Sequence, residues 1–250
     1  MSLRRVVAVL VALVGTAGVV VAVLSTFAPS EDRTTFTQPG PIRAVDVEVE
    51  GGRIEVVVGT ADAAEVERNR RYLLGPPTSS ETLIDGVLRV RAACPRLVAV
   101  GCRVGYRLEV PSGVSVRIRN DRGSVSVDDV AGMVEVDAGA GAVRLNRTRG
   151  PVRVTTAAGN VDGVDLGADF LDATTGAGRI RLSLAEPSGR VGLRTGAGDI
   201  DLALPPAPDG YRVDAEAGAG RVDVDVAQDP TAAQAVIARS GAGNIRISSR

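Results

Sequence analysis

TTGAGRIRLSL, residues 174–184, decides the fold, because it recurs along the chain with small changes. Three close copies and three looser ones flank it, beginning at residues 119, 137, 155, 194, 216 and 239. The last glycines of the seven copies are 18, 18, 19, 20, 22 and 23 residues apart: Gly123, Gly141, Gly159, Gly178, Gly198, Gly220 and Gly243. A repeat of about 20 residues is typical of a solenoid of stacked coils.

Alignment of the copies on their last glycine separates inward from outward positions. The second residue after the glycine is always Val or Ile: Val125, Val143, Val161, Ile180, Ile200, Val222 and Ile245. The third residue before it is always small: Asn120, Ala138, Thr156, Thr175, Thr195, Ala217 and Ser240. We therefore predict an all-β solenoid of two-strand coils, 18 to 23 residues each, with a structural glycine at every corner.

The outward positions carry charges whose sign changes from copy to copy. The third residues after the glycines are Ser126, Arg144, Asp162, Arg181, Asp201, Asp223 and Arg246. Because neighbouring strands lie about 4.8 Å apart, opposite charges one coil apart can pair. Stacking in sequence order is expected. That order leaves one like-charge step, Asp201 over Asp223, and ends the solenoid on the open strand edge of residues 245–250.

The N-terminus predicts membrane attachment. The apolar run from Val6 to Leu24 contains 19 uncharged residues, and as a helix it spans most of a hydrocarbon core of about 30 Å. Arg4 and Arg5 precede it, so the positive-inside rule places the C-terminal part outside the cytoplasm. Residues 1–24 are expected to form a cytoplasmic stub and a single-pass anchor in the bilayer. Secretion after cleavage is the alternative, although Pro29 disfavours cleavage at the nearest small-residue site.

The rest of the chain is expected to form a linker, residues 25–40, and one extracytoplasmic solenoid domain, residues 41–250. The linker is polar and contains two prolines, which is typical of an extended tether. Alternating apolar residues over 45–58, interrupted by Gly51 and Gly52, predict two strands that form the first coil. Residues 61–72 could form a charged surface helix or a strand that carries Val66, and we favour the strand.

Cys94 and Cys102 are the only cysteines. In an oxidising compartment, such a close pair is most simply a structural disulfide. A metal site or a redox pair is the weaker interpretation, because the chain has no histidine to complete a zinc shell and the spacing is not CxxC. No cofactor or metal is expected.

Composition weighs against several function classes. The formal net charge of -1 gives no basic surplus that would attract nucleic acid or anionic lipid. Each GAG triplet leads into a strand and lacks a following Lys-Ser/Thr, which argues against nucleotide binding. A solenoid enzyme acting on polysaccharide would need clustered carboxylates. The candidates are Asp199, Asp201, Asp223 and Asp225, but arginines occupy the same columns in other copies, so we interpret these aspartates as part of a solvated charged face.

Several stretches together resemble a known family. They are GGRIEV (51–56), IDGVLRVR (84–91), LEVPSGVSVRIRNDRG (108–123) and the GAG repeats. With the N-terminal apolar segment, the pattern is similar to the bacterial "putative adhesin" family of unknown-function domains, in its actinobacterial form. The resemblance covers about residues 40–250. It implies a β-solenoid-like fold in the cell envelope and brings no catalytic residue.

We therefore expect a non-enzymatic, membrane-anchored envelope module for adhesion, scaffolding or ligand display. Its partner would be an envelope protein or a polysaccharide, contacted through the flat faces or the growing loops 204–212 and 225–234. One alternative is an envelope-stress sensor that acts through a membrane partner protein. A second is a polysaccharide-active enzyme that uses the aspartates.

Overall fold

The computed structural model describes residues 29–60, 63–95 and 101–250. The predicted anchor, Val6 to Leu24, lies outside these residues. All regular secondary structure in the described part of the chain is β, as the repeat pattern predicts. Among the same residues there is no helix with the length and apolarity needed to cross a membrane.

The described strands form two long sheets. Sheet A has eleven strands, in the spatial order β1 (Ser30–Gln38), β4 (Ala64–Tyr72), β7 (Arg103–Val110), β3 (Ile54–Val58), β9 (Val125–Asp128), β11 (Val143–Asn146), β13 (Val161–Leu166), β15 (Ile180–Leu184), β17 (Ile200–Leu204), β21 (Ile245–Ser249) and β19 (Val222–Asp225). Sheet B has ten, in the order β18 (Arg212–Ala219), β20 (Ala235–Ala242), β16 (Arg190–Ala197), β14 (Phe170–Ala177), β12 (Val152–Ala158), β10 (Val134–Ala140), β8 (Ser115–Arg122), β2 (Ala44–Val49), β6 (Val87–Ala93) and β5 (Thr78–Ile84).

The sheets are those of a solenoid: each coil adds one strand to sheet B and the next strand to sheet A. Strand pairs are parallel along both sheets, except for β1 with β4, β4 with β7 and β5 with β6 at one end. The core lies between the sheets and consists almost entirely of Val, Leu, Ile and Ala. The aliphatic column two residues after each glycine is buried in every coil but one. The exception is Val222, which is 43% exposed.

Glycine at the coil corner is required by the stacking distance. At Gly178 the backbone φ is +151°, and an added Cβ would lie 2.1 Å from the carbonyl oxygen of Gly159 in the preceding coil. No side chain fits at that separation, since even ordinary carbon contacts are about 3.5 Å or longer. Cβ positions at Gly123, Gly141 and Gly198 meet the same obstacle, 1.9 to 2.1 Å from the carbonyl oxygen of the neighbouring corner glycine.

The small residues three positions before the glycine have a specific role in the stack. Four of the seven have side chains that donate a hydrogen bond to the carbonyl oxygen of a neighbouring corner glycine, whereas Ala138 and Ala217 have no donor and the buried Thr156 hydroxyl has no described partner. The bonds run from Asn120 to Gly52 (3.1 Å), Thr175 to Gly159 (3.0 Å), Thr195 to Gly178 (3.0 Å) and Ser240 to Gly198 (2.9 Å). These four side chains therefore join adjacent coils through polar contacts at the corner of a mainly apolar core.

The last two coils do not stack in sequence order, contrary to the expectation. The coil of β20 and β21 lies between the coil of β16 and β17 and that of β18 and β19. Residues 205–211 and 226–234 therefore serve as crossover connections. The hydroxyl group of the buried Tyr211 donates to the carbonyl oxygen of Pro205 at 2.7 Å within the first connection.

Side-chain size gives a physical reason for this order. Ile245 and Ile247 are almost fully buried between β17 and β19, whereas in sequence order they would form the open end. The coil that does form the end carries Val222 and Val224 at the same positions. The order thus removes the larger side chains from water, which favours folding in proportion to the apolar area buried.

The N-terminal end is also built out of order. The coil of β6 and β7 lies outside the earlier coil of β2 and β3, and β4 and β1 extend sheet A beyond β7. The expected linker, residues 25–40, thus contains β1, which pairs along its length with β4. Ion pairs of Asp32 with Arg70 and of Arg33 with Glu67 explain why so polar a stretch joins a sheet.

Candidate binding groove

The outer face of sheet A carries a continuous ladder of charged residues. The cross-strand register joins ten neighbouring positions: Glu67, Arg107, Glu55, Ser126, Arg144, Asp162, Arg181, Asp201, Arg246 and Asp223. The sign alternates at every step except at Ser126. We call this row the charge ladder. Opposite charges directly across two strands stabilise a sheet by about 0.2 to 1 kcal/mol per pair, so the ladder supports the register of the stack.

The aspartates considered for catalysis are distributed along this face. Arg246 lies between Asp201 and Asp223 in the sheet. Asp199 lies 3.8 Å from an Arg179 nitrogen and accepts a hydrogen bond of 2.8 Å from the backbone N–H of Asn244. The fold thus separates Asp201 from Asp223 with a guanidinium group, where a general acid and base would need to face one substrate bond.

No set of three or more His, Cys, Asp or Glu residues within the described ranges is arranged to hold a metal ion.

An open groove lies on the outer face of sheet A at its N-terminal end. Its volume is about 1260 Å³. Strands β1, β4, β7, β3 and the corner before β9 contribute to it. Its floor contains Gly105. Gly105 lies opposite Asn69 of β4 on one side. On the other side, the backbone N–H of the next residue, Tyr106, donates a hydrogen bond to the carbonyl oxygen of Arg53. Because Gly105 has no side chain, the middle of the sheet surface is bare, and taller side chains surround it.

Arginines dominate the rim of the groove. Six line it, against three glutamates: Arg33, Arg53, Arg71, Arg103, Arg107 and Arg122. Arg71 and Arg103 lie directly opposite each other on the antiparallel strands β4 and β7. Like charges in this position destabilise a sheet. We call the groove lined by these six arginines the arginine groove.

The three glutamates of the groove are already engaged. Glu67 accepts a hydrogen bond of 2.6 Å from Arg33. Glu55 pairs with Arg107. Glu50 accepts a hydrogen bond of 2.9 Å from the backbone N–H of Cys94. Among the described residues, Arg53, Arg103 and Arg122 have no carboxylate partner within 4.0 Å, and Arg71 has only Glu31, at 3.4 Å.

A disulfide between Cys94 and Cys102 closes the corner of the coil that forms one wall of the groove. In the other coils a glycine makes this corner. Here the chain between β6 and β7 is longer, and the covalent bond holds its two ends together. The disulfide and the Glu50 contact therefore fix the wall of the groove next to Arg103.

A buried polar cluster supports the groove from the inside. Tyr106 on β7 points between the sheets and donates a hydrogen bond of 2.7 Å to Glu81 on β5. Arg68 on β4 donates to Glu81 at 3.0 Å and to Ser79 at 2.9 Å. Burial, together with the hydrogen bond to the Glu81 carboxylate, raises the pKa of Tyr106 well above its ordinary 10.0. The cluster ties the end of sheet A to sheet B.

The sequence profile of the Toastrack DUF4097 family matches residues 114–249, more than half of the chain. The chain belongs to this family. None of the curated proteins compared is detectably similar in sequence.

Two solved structures resemble this Toastrack chain. One is described as a "putative cell adhesion protein" from Clostridium sporogenes, with 12% identity, 89% of this chain and 100% of the other covered, and a TM-score of 0.42. The other is described as a "putative adhesin" from Bacteroides fragilis, with 12% identity, coverage of 87% and 98%, and a TM-score of 0.36.

The arginine groove lies largely outside the Toastrack match, which begins at residue 114. Only Arg122 and its two neighbours in the groove belong to the matched repeats. Sequence reasoning on the repeats therefore missed this site. One signal was present: Gly105 interrupts an otherwise regular strand, and a glycine inside a strand often marks a close approach by another group.

Proposed function

We propose that this Toastrack chain is a non-enzymatic, membrane-anchored module of the cell envelope, whose rigid solenoid presents a binding surface for adhesion or scaffolding. The observation that supports the proposal is the charge ladder. It places carboxylates and guanidinium groups side by side on nine of ten neighbouring strands, with Ser126 on the tenth. Where the ladder passes through the groove, Arg53, Arg103 and Arg122 lie beside it without a described carboxylate partner within 4.0 Å. A surface that is internally neutralised along most of its length leaves the groove as the place for a charged partner.

Membrane anchoring and the extracytoplasmic location are proposed from the sequence. The apolar run of Val6 to Leu24 is long enough to span a bilayer, and the arginines before it favour a cytoplasmic N-terminus. The disulfide between Cys94 and Cys102 agrees with an oxidising compartment, where such bonds persist.

The test uses bacterial cells that produce the full chain or a chain lacking residues 41–250. We expect external protease to digest the solenoid on cells whose wall has been removed, while the anchor stays with the membrane. We also expect attachment to envelope material to be lost with residues 41–250. Intact protein after protease treatment would contradict the location.

Two results would contradict the binding role and favour an alternative. Turnover of wall polysaccharide that is abolished by Asp201→Asn and Asp223→Asn would indicate an enzyme. Crosslinking to a single membrane protein, with no attachment defect after deletion, would indicate a sensor.

A further inference from the structure

We infer that the arginine groove binds phosphate groups, namely those of anionic phospholipid headgroups at the surface of the membrane that holds the chain. The choice of a lipid rests on the proposed anchoring. The anionic chemistry of the ligand rests on the described residues alone.

The first argument is the break in the charge ladder. Along most of sheet A each charge has an opposite charge as its neighbour, yet Arg71 and Arg103 face each other directly. Arg53 and Arg122 add two more guanidinium groups at the same groove without a described carboxylate partner. Glu31 pairs with Arg71 from β1, at 3.4 Å, but no described carboxylate lies within 4.0 Å of Arg103. An anion beside Arg103 would offset the repulsion between the two guanidinium groups, and local violations of an otherwise consistent pattern are expected at functional sites.

The second argument is the chemistry of the groove. Guanidinium groups form paired hydrogen bonds with phosphate oxygens, and Arg is therefore favoured over Lys where phosphate is recognised by geometry. The bare floor at Gly105 leaves room for a headgroup between the surrounding side chains. A volume of about 1260 Å³ is far larger than a single inorganic ion needs and suits one or more headgroups.

The third argument is the position of the groove in the chain. Strand β1 begins at Ser30, six residues after Leu24, and its second residue, Glu31, lies across from Arg71. An extended chain of six residues reaches at most about 20 Å. Glu31, and with it the neighbouring pair Arg71 and Arg103, therefore lies within about that reach of the end of the proposed anchor. Basic residues near a leaflet that contains anionic lipid are attracted to it within about a Debye length, so an outer leaflet with phosphatidylglycerol would attract this end of the sheet.

The local charge also explains why composition does not reveal the site. The whole chain has a formal net charge of -1, so it shows no overall attraction to an anionic surface. The fold concentrates arginines from four separate strands and one corner at a single end of sheet A. Membrane binding in this protein would then depend on the fold as well as on the anchor.

The experiment measures lipid binding to the full-length chain in a neutral detergent. Short-chain phosphatidylglycerol is titrated by calorimetry, with short-chain phosphatidylcholine as the uncharged comparison. The test variant is Arg53→Ala with Arg103→Ala. Arg144→Ala is the matched control, because Arg144 is exposed on the same face and also has no described carboxylate partner within 4.0 Å. Circular dichroism and the unfolding midpoint verify that each variant is folded.

We expect phosphatidylglycerol to bind the native chain and phosphatidylcholine to bind much more weakly. The double variant should lose at least about tenfold in affinity, as expected when two charge-assisted contacts are removed. The control should bind like the native chain. Affinity should also fall with added salt, and less steeply for the double variant.

Equal losses in the double variant and in Arg144→Ala would overturn the groove as a specific site. Tighter binding of soluble inorganic polyphosphate than of phosphatidylglycerol, with the same dependence on Arg53 and Arg103, would overturn the lipid and assign a free phosphate polymer. Loss of external protease access with lipid binding intact would contradict the proposed location and leave the groove in place. Protease access with no lipid binding would contradict the lipid-binding groove and leave the proposed location in place.

Discussion

Asp201 lies directly beside Arg246 in the parallel register of sheet A, although a complete coil separates them in the sequence. The side chain of Arg246 also faces Asp223 on its other side. Stacking in sequence order would place the two aspartates next to each other. The observed order instead places Arg246 between the two aspartates, with an ion pair to Asp223 at 3.8 Å and Asp201 as its neighbour in the register, and buries Ile245 and Ile247 at the same time.

The order of the last coils predicts energetic coupling between Asp201 and Arg246. In a double-mutant cycle with Asp201→Asn and Arg246→Gln, we expect a coupling free energy of about 0.2 to 1 kcal/mol at low salt. Urea unfolding of the four proteins measures it. In sequence order the two residues would lie two coils apart, about 10 Å, and would show almost no coupling. High salt provides the control, because it screens exposed pairs.

The sequence predicts the coil but does not predict the order of the coils. Each coil packs against coils of the same pattern, so an aliphatic residue is needed at the same inward position in each copy. Val125, Ile180 and Ile200 occupy this position and identify the core. Either order of the last two coils presents identical apolar columns to its neighbours. The choice depends on smaller differences, such as Ile245 against Val222 and Arg246 against Asp223. The repeat pattern is the same for both orders, so it does not distinguish between them.

The arginine groove could not be predicted for a related reason. Arg53 and Arg103 come together because β7 lies beside β3, although the chain forms the antiparallel strands β4 and β5 and then β6 between these two strands. Each of the two strands alternates normally when considered alone. Only the long-range pairing brings their arginines together over Gly105, and no local pattern encodes that pairing.

Substitution of a corner glycine should break the stack. In Gly178→Ala the new Cβ would lie 2.1 Å from the Gly159 carbonyl oxygen, and the φ of +151° would become strained. Overpacking and backbone strain together should cost about 2 to 6 kcal/mol. Thermal and urea unfolding measure the loss.

Gly113→Ala is the matched control for this substitution. An added Cβ at Gly113 meets no atom within 4 Å, and its backbone carries no left-handed strain. We expect its unfolding free energy to stay within about 0.5 kcal/mol of the native value. Equal destabilisation by both variants would show that the corner glycines have no special role in stacking.

The buried Tyr106 predicts a loss of stability at alkaline pH. Its pKa is raised in the folded state, so the folded protein keeps the phenolic proton after the unfolded chain has released it near pH 10.0. The unfolded state then binds fewer protons, and the unfolding free energy falls by about 1.4 kcal/mol per pH unit above that pH. Urea unfolding between about pH 8 and pH 11 measures the slope.

Tyr106→Phe should remove this part of the slope and lower stability at neutral pH by about 1 kcal/mol through the lost hydrogen bond to Glu81. Tyr211→Phe is the comparison, because burial alone raises the pKa of Tyr211. It should change the alkaline slope less. An unchanged slope in Tyr106→Phe would contradict the assignment of the proton to the Tyr106 cluster.

The disulfide should stabilise both the fold and the groove. Closing the short loop between Cys94 and Cys102 contributes about 2 to 3 kcal/mol in the chain-entropy model, so the Cys94→Ser, Cys102→Ser variant should lose about that amount. Reduction of the native chain should have the same effect, and the reduced chain serves as the control for the substitution itself.

Because the disulfide also holds the wall of the groove next to Arg103, phosphatidylglycerol affinity should fall on reduction under conditions where the rest of the fold is intact. Reduced protein with native stability and native lipid affinity would show that the Glu50 contact to the Cys94 backbone holds this corner without the covalent bond.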